Sequence, residues 1–227
     1  MKASDQDSQA NAFQIWQCLS DSCRFRYPTP VSFPEGVKCP KCQGPASRAG
    51  PPFVGRSLPS PIDRTGNLEF EVLLDNVRSS HNVGSIFRSC DGAGVRHIHL
   101  CGITSTPRQG KVGKSALGAE TTVPWSYHRN GVDALRLCRQ KGLCIWSLEN
   151  RLSSQSIFDL RPDELTKPIL LVVGNELSGV DPAILELSDR IVSIPMLGHK
   201  SSLNAAVAFG IVAYWLLFGI RRCSTYS

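Results

Sequence analysis

The chain lacks an apolar stretch near its start. The opening MKASDQDSQANAF is polar, so no secretory leader is expected there. It lacks metal spacing among its histidines. His81, His97, His99, His128 and His199 fall at no interval used by a metal motif, and each reads as an ordinary residue. It lacks an internal repeat, which sets solenoids aside. It also lacks an intact phosphate-binding P-loop. GKVGKSALG (110–118) contains the tail Gly113-Lys114-Ser115, but the glycine required five residues before Gly113 is Arg108. A nucleotide hydrolase of that kind is not indicated.

What is present suffices for one ordinary domain and a small module. The chain has 227 residues, of which 41% are hydrophobic and 19% charged, enough to bury a core. The net charge of +6 suits an anionic partner without requiring one. The excess is uneven. Between Cys18 and Arg56, six basic residues (Arg24, Arg26, Lys38, Lys41, Arg48, Arg56) face two acidic ones (Asp21, Glu35), a local excess of +4.

The composition divides the chain. Residues 1–12 read as a loose tail and 13–45 as a four-cysteine module. Residues 46–67, rich in Pro, Gly and Ser, read as a linker, and 68–227 as the main domain. Within that domain FEVLLD, HIHLCG, LCIWSL, PILLVVG and RIVSIP read as strands. Helices are expected from Asn82 to about Asp91, over 131–142, over 181–188 and after Ser202. The segment from 102 to about 118 is expected to be a long polar loop. Strands alternating with helices predict an α/β fold with a mostly parallel sheet.

Cys18 and Cys23 are separated by four residues, and Cys39 and Cys42 by two. Four thiolates in two close pairs suit a tetrahedral structural zinc. The segment has too few apolar residues to fold unaided, so metal binding would supply its folding free energy. Free thiols and two disulfides are the competing readings. Without a leader, a reducing compartment is expected, and clustered cysteines there favour metal. Cys90, Cys101, Cys138, Cys144 and Cys223 read as small apolar residues.

Three loops stand at expected strand ends. DNVRSSHNVGSIFRSCDGAGV (75–95) places Asn82, Gly84 and Arg88 on a helix start, with Asn82 and Arg88 expected to face the sheet's carboxyl edge. VVGNELSGVDP (172–182) carries Gly174, Glu176 and Gly179 beyond a buried strand. IPMLGHKSSLN (194–204) ends a strand, turns, and offers Ser202 as a helix cap. Taken singly, a capping Asn, a solvent-facing Arg and a glycine turn explain each of them. Arg108, Lys111 and Lys114 make a basic loop that would contact phosphates, or a solvated surface.

Together and in this order, the loops resemble the signature of the SpoU/TrmH family of RNA ribose 2′-O-methyltransferases, a SPOUT-type group. The matches are N-x-G-x-x-x-R at 82–88, G-x-E-x-x-G at 174–179 and I-P-M-x-G-x-x-x-S-L-N at 194–204, and the resemblance covers about 70–220. Ala205 stands where that family commonly has Val. The resemblance implies a C-terminal trefoil knot, a homodimer, and S-adenosylmethionine held by Leu148, Gly174, Glu176, Gly179, Ile194, Met196, Ser202, Leu203 and Asn204. It implies catalytic roles for Arg88, Asn82, Ser202 and Glu176, with transfer RNA or ribosomal RNA as substrate and a cytoplasmic setting. A non-catalytic RNA-binding protein on the same fold is the alternative. The 18 residues from Leu203 to Ile220 are just long enough to span a membrane, but Asn204 and four alanines fit a helix packed inside a protein better, so no membrane partner is expected.

Overall fold

The structure is a computed structural model that describes residues 12–33, 38–54, 68–161, 165 and 167–219. It divides into two compact units, Met1–Asp63 and Arg64–Ser227.

In the first unit, β1 (Ala12–Cys18) pairs antiparallel with β2 (Arg26–Pro30), β3 (Ala46–Arg48) and β4 (Phe53–Val54). The first residues of the stretch expected to be linker therefore belong to this small sheet, because β1 would otherwise have an unpaired edge. Residues 55–67 and 1–11 lie outside the described residues. The apolar content is small: Trp16 is buried, and Phe13 stacks on Phe53 at 6.1 Å.

The second unit runs β5 (Phe70–Asp75), α1 (Ser80–Ala93), β6 (His97–Cys101), α2 (Gly113–Ala116), α3 (Ala119–Thr122), β7 (Trp125–His128), α4 (Gly131–Gln140), β8 (Cys144–Leu148), β9 (Gln155–Ser156), β10 (Ile169–Val173), α5 (Pro182–Glu186), β11 (Arg190–Ser193) and α6 (Ala205–Tyr214). The strand order is β7-β6-β5-β10-β8-β11-β9, and each pairing is parallel. The chain builds outward from β5 through β6 and β7, returns to lay down β8 on the far side, and later inserts β10 between them. All five residues of β10 are buried, as a central strand covered on both faces requires. One face packs against α1 and α6, where Phe70 stacks on Phe209 at 6.5 Å. The other packs Leu73, Ile145, Leu170 and Val172 under α4 and α5. The result is a three-layer α/β/α sandwich.

Three local expectations are corrected. Helix α1 starts earlier than Asn82: Ser79 is its cap, accepting from the Asn82 backbone N–H at 3.3 Å, and left-handed Gly94 ends it. That leaves the Asn82 side chain free for tertiary contacts. The cap of α6 is Asn204, not Ser202; its Oδ1 accepts from the Ala206 and Val207 amides at 2.9 and 3.3 Å. The loop after β6 is not structureless, because a 3-10 turn at Pro107–Gln109, α2 and α3 occupy it. Helix α6 continues as a π-helical turn over Trp215–Gly219. Among the described residues no helix is long and apolar enough to cross a membrane.

Candidate active site

The carboxyl ends of β8, β10 and β11 open into one cleft of about 420 Å³, within the size range of small-molecule sites. Leu148, Gly174, Glu176, Gly179, Ile194, Met196, Ser202, Leu203 and Asn204 all line it, the nine residues that the family resemblance implies around a cofactor. Each strand ends on a loop that turns over the sheet edge, and the parallel sheet puts these loops side by side.

The glycines are there for space. A Cβ on Gly174 would stand 2.3 Å from the Val180 nitrogen and 2.5 Å from the Gly179 oxygen, both backbone atoms. The loop folds back so tightly that Asn175 and Gly179 exchange both backbone hydrogen bonds, at 3.0 and 2.9 Å. Gly179 has φ of 75° and no room beside Glu149, whose carboxylate accepts from the Val180 amide at 2.9 Å. Gly84 serves a different purpose: a Cβ there would meet Ser115 Oγ and Val112 O, so this glycine lets α1 lie against α2.

Side-chain hydrogen bonds join the three motif loops. Asn204 Nδ2 donates to Asn82 Oδ1 at 3.0 Å, and Asn82 Nδ2 donates to Glu176 Oε1 at 2.9 Å. Glu176 also accepts from the backbone amides of Arg78 and Ser79, at 2.9 and 3.0 Å, where α1 begins. Burial tends to raise the Glu176 pKa, but these amide donors outweigh it and hold the group below its ordinary 4.5. An anion with three donors is a weak base. Glu176 thus fastens the 174–179 loop to the start of α1 through the backbone N–H groups of the cap residue and of the residue before it.

That pairing has a pH signature. A carboxylate lowered on folding contributes stability that is complete above about 4.5 and disappears as pH falls through its folded value. Glu176→Gln is expected to flatten the acid limb of the stability curve below about pH 5 relative to wild type, measured by denaturant unfolding at a series of pH values. An unchanged acid limb would show that the carboxylate is not engaged this way.

Arg88 lies apart. It is exposed on α1, makes no hydrogen bond or ion pair among the described residues, and does not line the cleft. Six residues along a helix advance about 9 Å and rotate by about 240°, so Asn82 and Arg88 face different directions. The expectation that both face the sheet's carboxyl edge does not hold. Ser202 is exposed at the cleft's rim. Arg108, Lys111 and Lys114 are all exposed around α2, with the Arg108 guanidinium 5.7 Å from the Trp125 ring.

Sequence reasoning missed Glu149, Asn150 and Asn175, which also line the cleft. Asn150 Nδ2 donates to Ser201 O at 2.7 Å, tying the loop after β8 to the third motif. Asn175 Nδ2 donates to Asn76 O at 2.7 Å. Their signal was position, one or two residues past a buried strand.

In the first unit the four cysteines expected as metal ligands converge. Their sulfurs all lie within 4.8 Å of one another, with Cys18 to Cys42 at 3.4 Å and Cys23 to Cys39 at 3.8 Å. A zinc ion about 2.3 Å from each thiolate places tetrahedral sulfurs about 3.8 Å apart, so the set fits. The Lys41 amide donates to Cys39 Sγ at 3.4 Å, as at a metal knuckle.

A fully parallel sandwich with a glycine-walled cleft at its carboxyl edge defines an α/β ligand-binding protein of the cofactor-using kind. The chain belongs to the SpoU rRNA methylase family, whose model matches residues 69–214. It is 37% identical over 147 residues to the tRNA (guanosine(18)-2′-O)-methyltransferase of Aquifex aeolicus, covering 63% of this chain and 66% of that one. It is 33% identical over 169 residues to the 23S rRNA (guanosine-2′-O-)-methyltransferase RlmB of Pectobacterium atrosepticum, covering 74% and 66%. The chain thus spans about two thirds of the length of these relatives. The SpoU methyltransferase AviRb of Streptomyces viridochromogenes, solved in complex with the cofactor AdoMet, superposes with a TM-score of 0.61 at 27% identity, over 71% of this chain and 64% of that one.

Proposed function

We propose that this protein is an S-adenosylmethionine-dependent RNA methyltransferase that acts on a ribose 2′-hydroxyl of a structured transfer or ribosomal RNA. The observation that carries the reading is the Asn204–Asn82–Glu176 chain, which ties all three motif loops into one cleft. Apolar walls from Leu148, Ile194, Met196 and Leu203, with backbone bared at Gly174 and Gly179, suit a nucleoside carrying a thioether arm. When bound, the cofactor supplies a methyl group on a cationic sulfur, which leaves as a neutral thioether. The protein's task is to align the sugar oxygen with that methyl and to assist loss of the hydroxyl proton. Alignment on rigid loops can be worth roughly 7–11 kcal/mol.

Neither carboxylate of the cleft is an obvious base, since Glu176 accepts from the Arg78 and Ser79 amides and Glu149 from the Val180 amide. Arg88 carries a guanidinium, which has hydrogen-bond donors and no acceptor. Its role in this reading is to hold the phosphate beside the target ribose and to stabilise charge developing on the 2′-oxygen. That phosphate would take up the hydroxyl proton. Ser202, at the rim, orients the nucleotide, and Arg108, Lys111 and Lys114 grip flanking phosphates.

Arg88 would reach a cleft in a second copy. Val207, Ile211, Tyr214 and Phe218 form an exposed apolar stripe on α6 and the turn after it, at 51, 37, 46 and 49% exposure. α6 begins on the cleft and packs on α1, where a Cβ on Gly92 would come 2.7 Å from the Tyr214 hydroxyl. A twofold homodimer through this stripe covers it and carries Arg88 toward the partner's cleft. The knot expected of the family, a cytoplasmic setting, and zinc on Cys18, Cys23, Cys39 and Cys42 complete the reading. In it the basic first unit grips RNA through phosphates.

The test is transfer of labelled methyl from S-adenosylmethionine into RNA, followed by digestion to nucleosides. Label is expected in a 2′-O-methylated nucleoside. Label on a base, or none with any transfer or ribosomal RNA, refutes the reading; tight RNA binding without transfer would favour the non-catalytic alternative.

A further inference from the structure

A second cluster of metal-binding donors lies under α4, toward the amino ends of the strands and away from the cleft. We propose that Glu71, His99 and Cys138 form a site for a thiophilic divalent ion, zinc in the first instance, that pins β5 and β6 to α4.

The three donors come from three elements. Glu71 and His99 stand on adjacent parallel strands, on the face that also carries Leu73 and Cys101, and Cys138 descends onto them from α4. One donor atom from each lies within 4.8 Å of the others. His99 Nε2 is 2.9 Å from Glu71 Oε2 and 3.4 Å from Cys138 Sγ. Tetrahedral zinc with ordinary bond lengths separates a nitrogen from an oxygen by about 3.4 Å and from a sulfur by about 3.6 Å. The nitrogen–sulfur pair is already at that spacing. The nitrogen–oxygen pair opens by a few tenths of an ångström as the ion replaces the bridging proton.

The surroundings orient the donors. The other ring nitrogen of His99, Nδ1, is held by Ser126 Oγ at 3.3 Å and His128 Nε2 at 3.2 Å. His97 Nε2 in turn lies 2.9 Å from Ser126 Oγ. Metal-bound histidines are fixed in this way, with one nitrogen anchored and the other presented to the ion. The histidine ring and the thiol are buried, at 5 and 1% exposure, while the Glu71 side chain keeps 21% and gives a water or ion access. A carboxylate and a thiolate balance a dication in that low-dielectric setting. The mixture of imidazole, sulfur and one carboxylate suits zinc or cobalt and disfavours magnesium and calcium, which prefer oxygen alone. Sulfur binds the ion as thiolate, so binding would release the Cys138 proton. Lys141, whose charge reaches both Cys138 and Glu71, opposes the ion.

Metal content after equilibration of the full chain with zinc chloride and removal of free ion tests the proposal. Wild type is expected to hold one ion more per chain than Cys138→Ala or His99→Gln. A chain with Cys39→Ser and Cys42→Ser, which leaves the core untouched, should still retain one. Equal metal in wild type and both core variants, or none in the module variant, overturns the assignment. The count is independent of methyl transfer, so it stands or falls apart from the proposed function.

Discussion

Arg88→Ala is expected to lower single-turnover methyl transfer at saturating RNA by about 10²–10³-fold, the effect of removing one charge-stabilising donor from a transition state. Affinity for S-adenosylmethionine should not change, because Arg88 does not line its own chain's cleft and, in the partner's, is assigned to the RNA phosphate rather than to the cofactor. Arg88→Lys should recover only part of the loss: an ammonium keeps the charge but not the planar fork that grips a phosphate through two bonds. Subunit mixing separates the two possible locations of its action. Chains carrying Arg88→Ala, mixed with chains whose cleft is filled by Leu148→Trp, should regain about a quarter of wild-type activity, since half of the dimers are mixed and each has one intact site. A mixture no more active than its parts would show that Arg88 does not serve the partner.

Gly174→Ala should do comparable damage by a different route. The three atoms nearest the added methyl are backbone of Gly179 and Val180, at 2.3–2.5 Å, so no side-chain rotation would admit it. The 175–179 loop must shift, at a cost of about 1–3 kcal/mol or more in stability. Cofactor affinity should fall by more than tenfold, because the loop's shape is the cleft wall. Gly198→Ala is the control: a Cβ there meets nothing within 4 Å, and both stability and affinity should stay near wild type. Thermal melts and calorimetric titration of both variants settle this, and equal behaviour would remove Gly174 from the cleft's construction.

The strands and the three motif loops could be read from the sequence because buried parallel strands are continuous apolar runs and glycine marks where backbone must come close. Helix starts were harder. Ser79 and Asn82 are both good caps three residues apart, and what decided between them was Glu176, almost a hundred residues away, which takes the Asn82 side chain for itself. At α6 the cap is Asn204 rather than Ser202, and its amide serves twice: Oδ1 caps the helix while Nδ2 reaches Asn82. The Pro and Gly content of the stretch beginning at 46 hides two short strands, which pair with β1. Glu71, His99 and Cys138 could not be found by spacing at all. No interval relates donors on two strands and a helix until the sheet has placed them together. Arg88 is legible as a residue and illegible as a position, since among the described residues of one chain it makes no hydrogen bond or ion pair.

Amide hydrogen exchange with and without saturating S-adenosylmethionine tests the central claim most directly. That claim is that the ends of β8, β10 and β11 jointly hold the methyl donor. The account predicts slowed exchange in 148–150, 174–179 and 194–204 together, with the face under α4 unchanged. Protection confined to another surface, or none at concentrations that support methyl transfer, would contradict it.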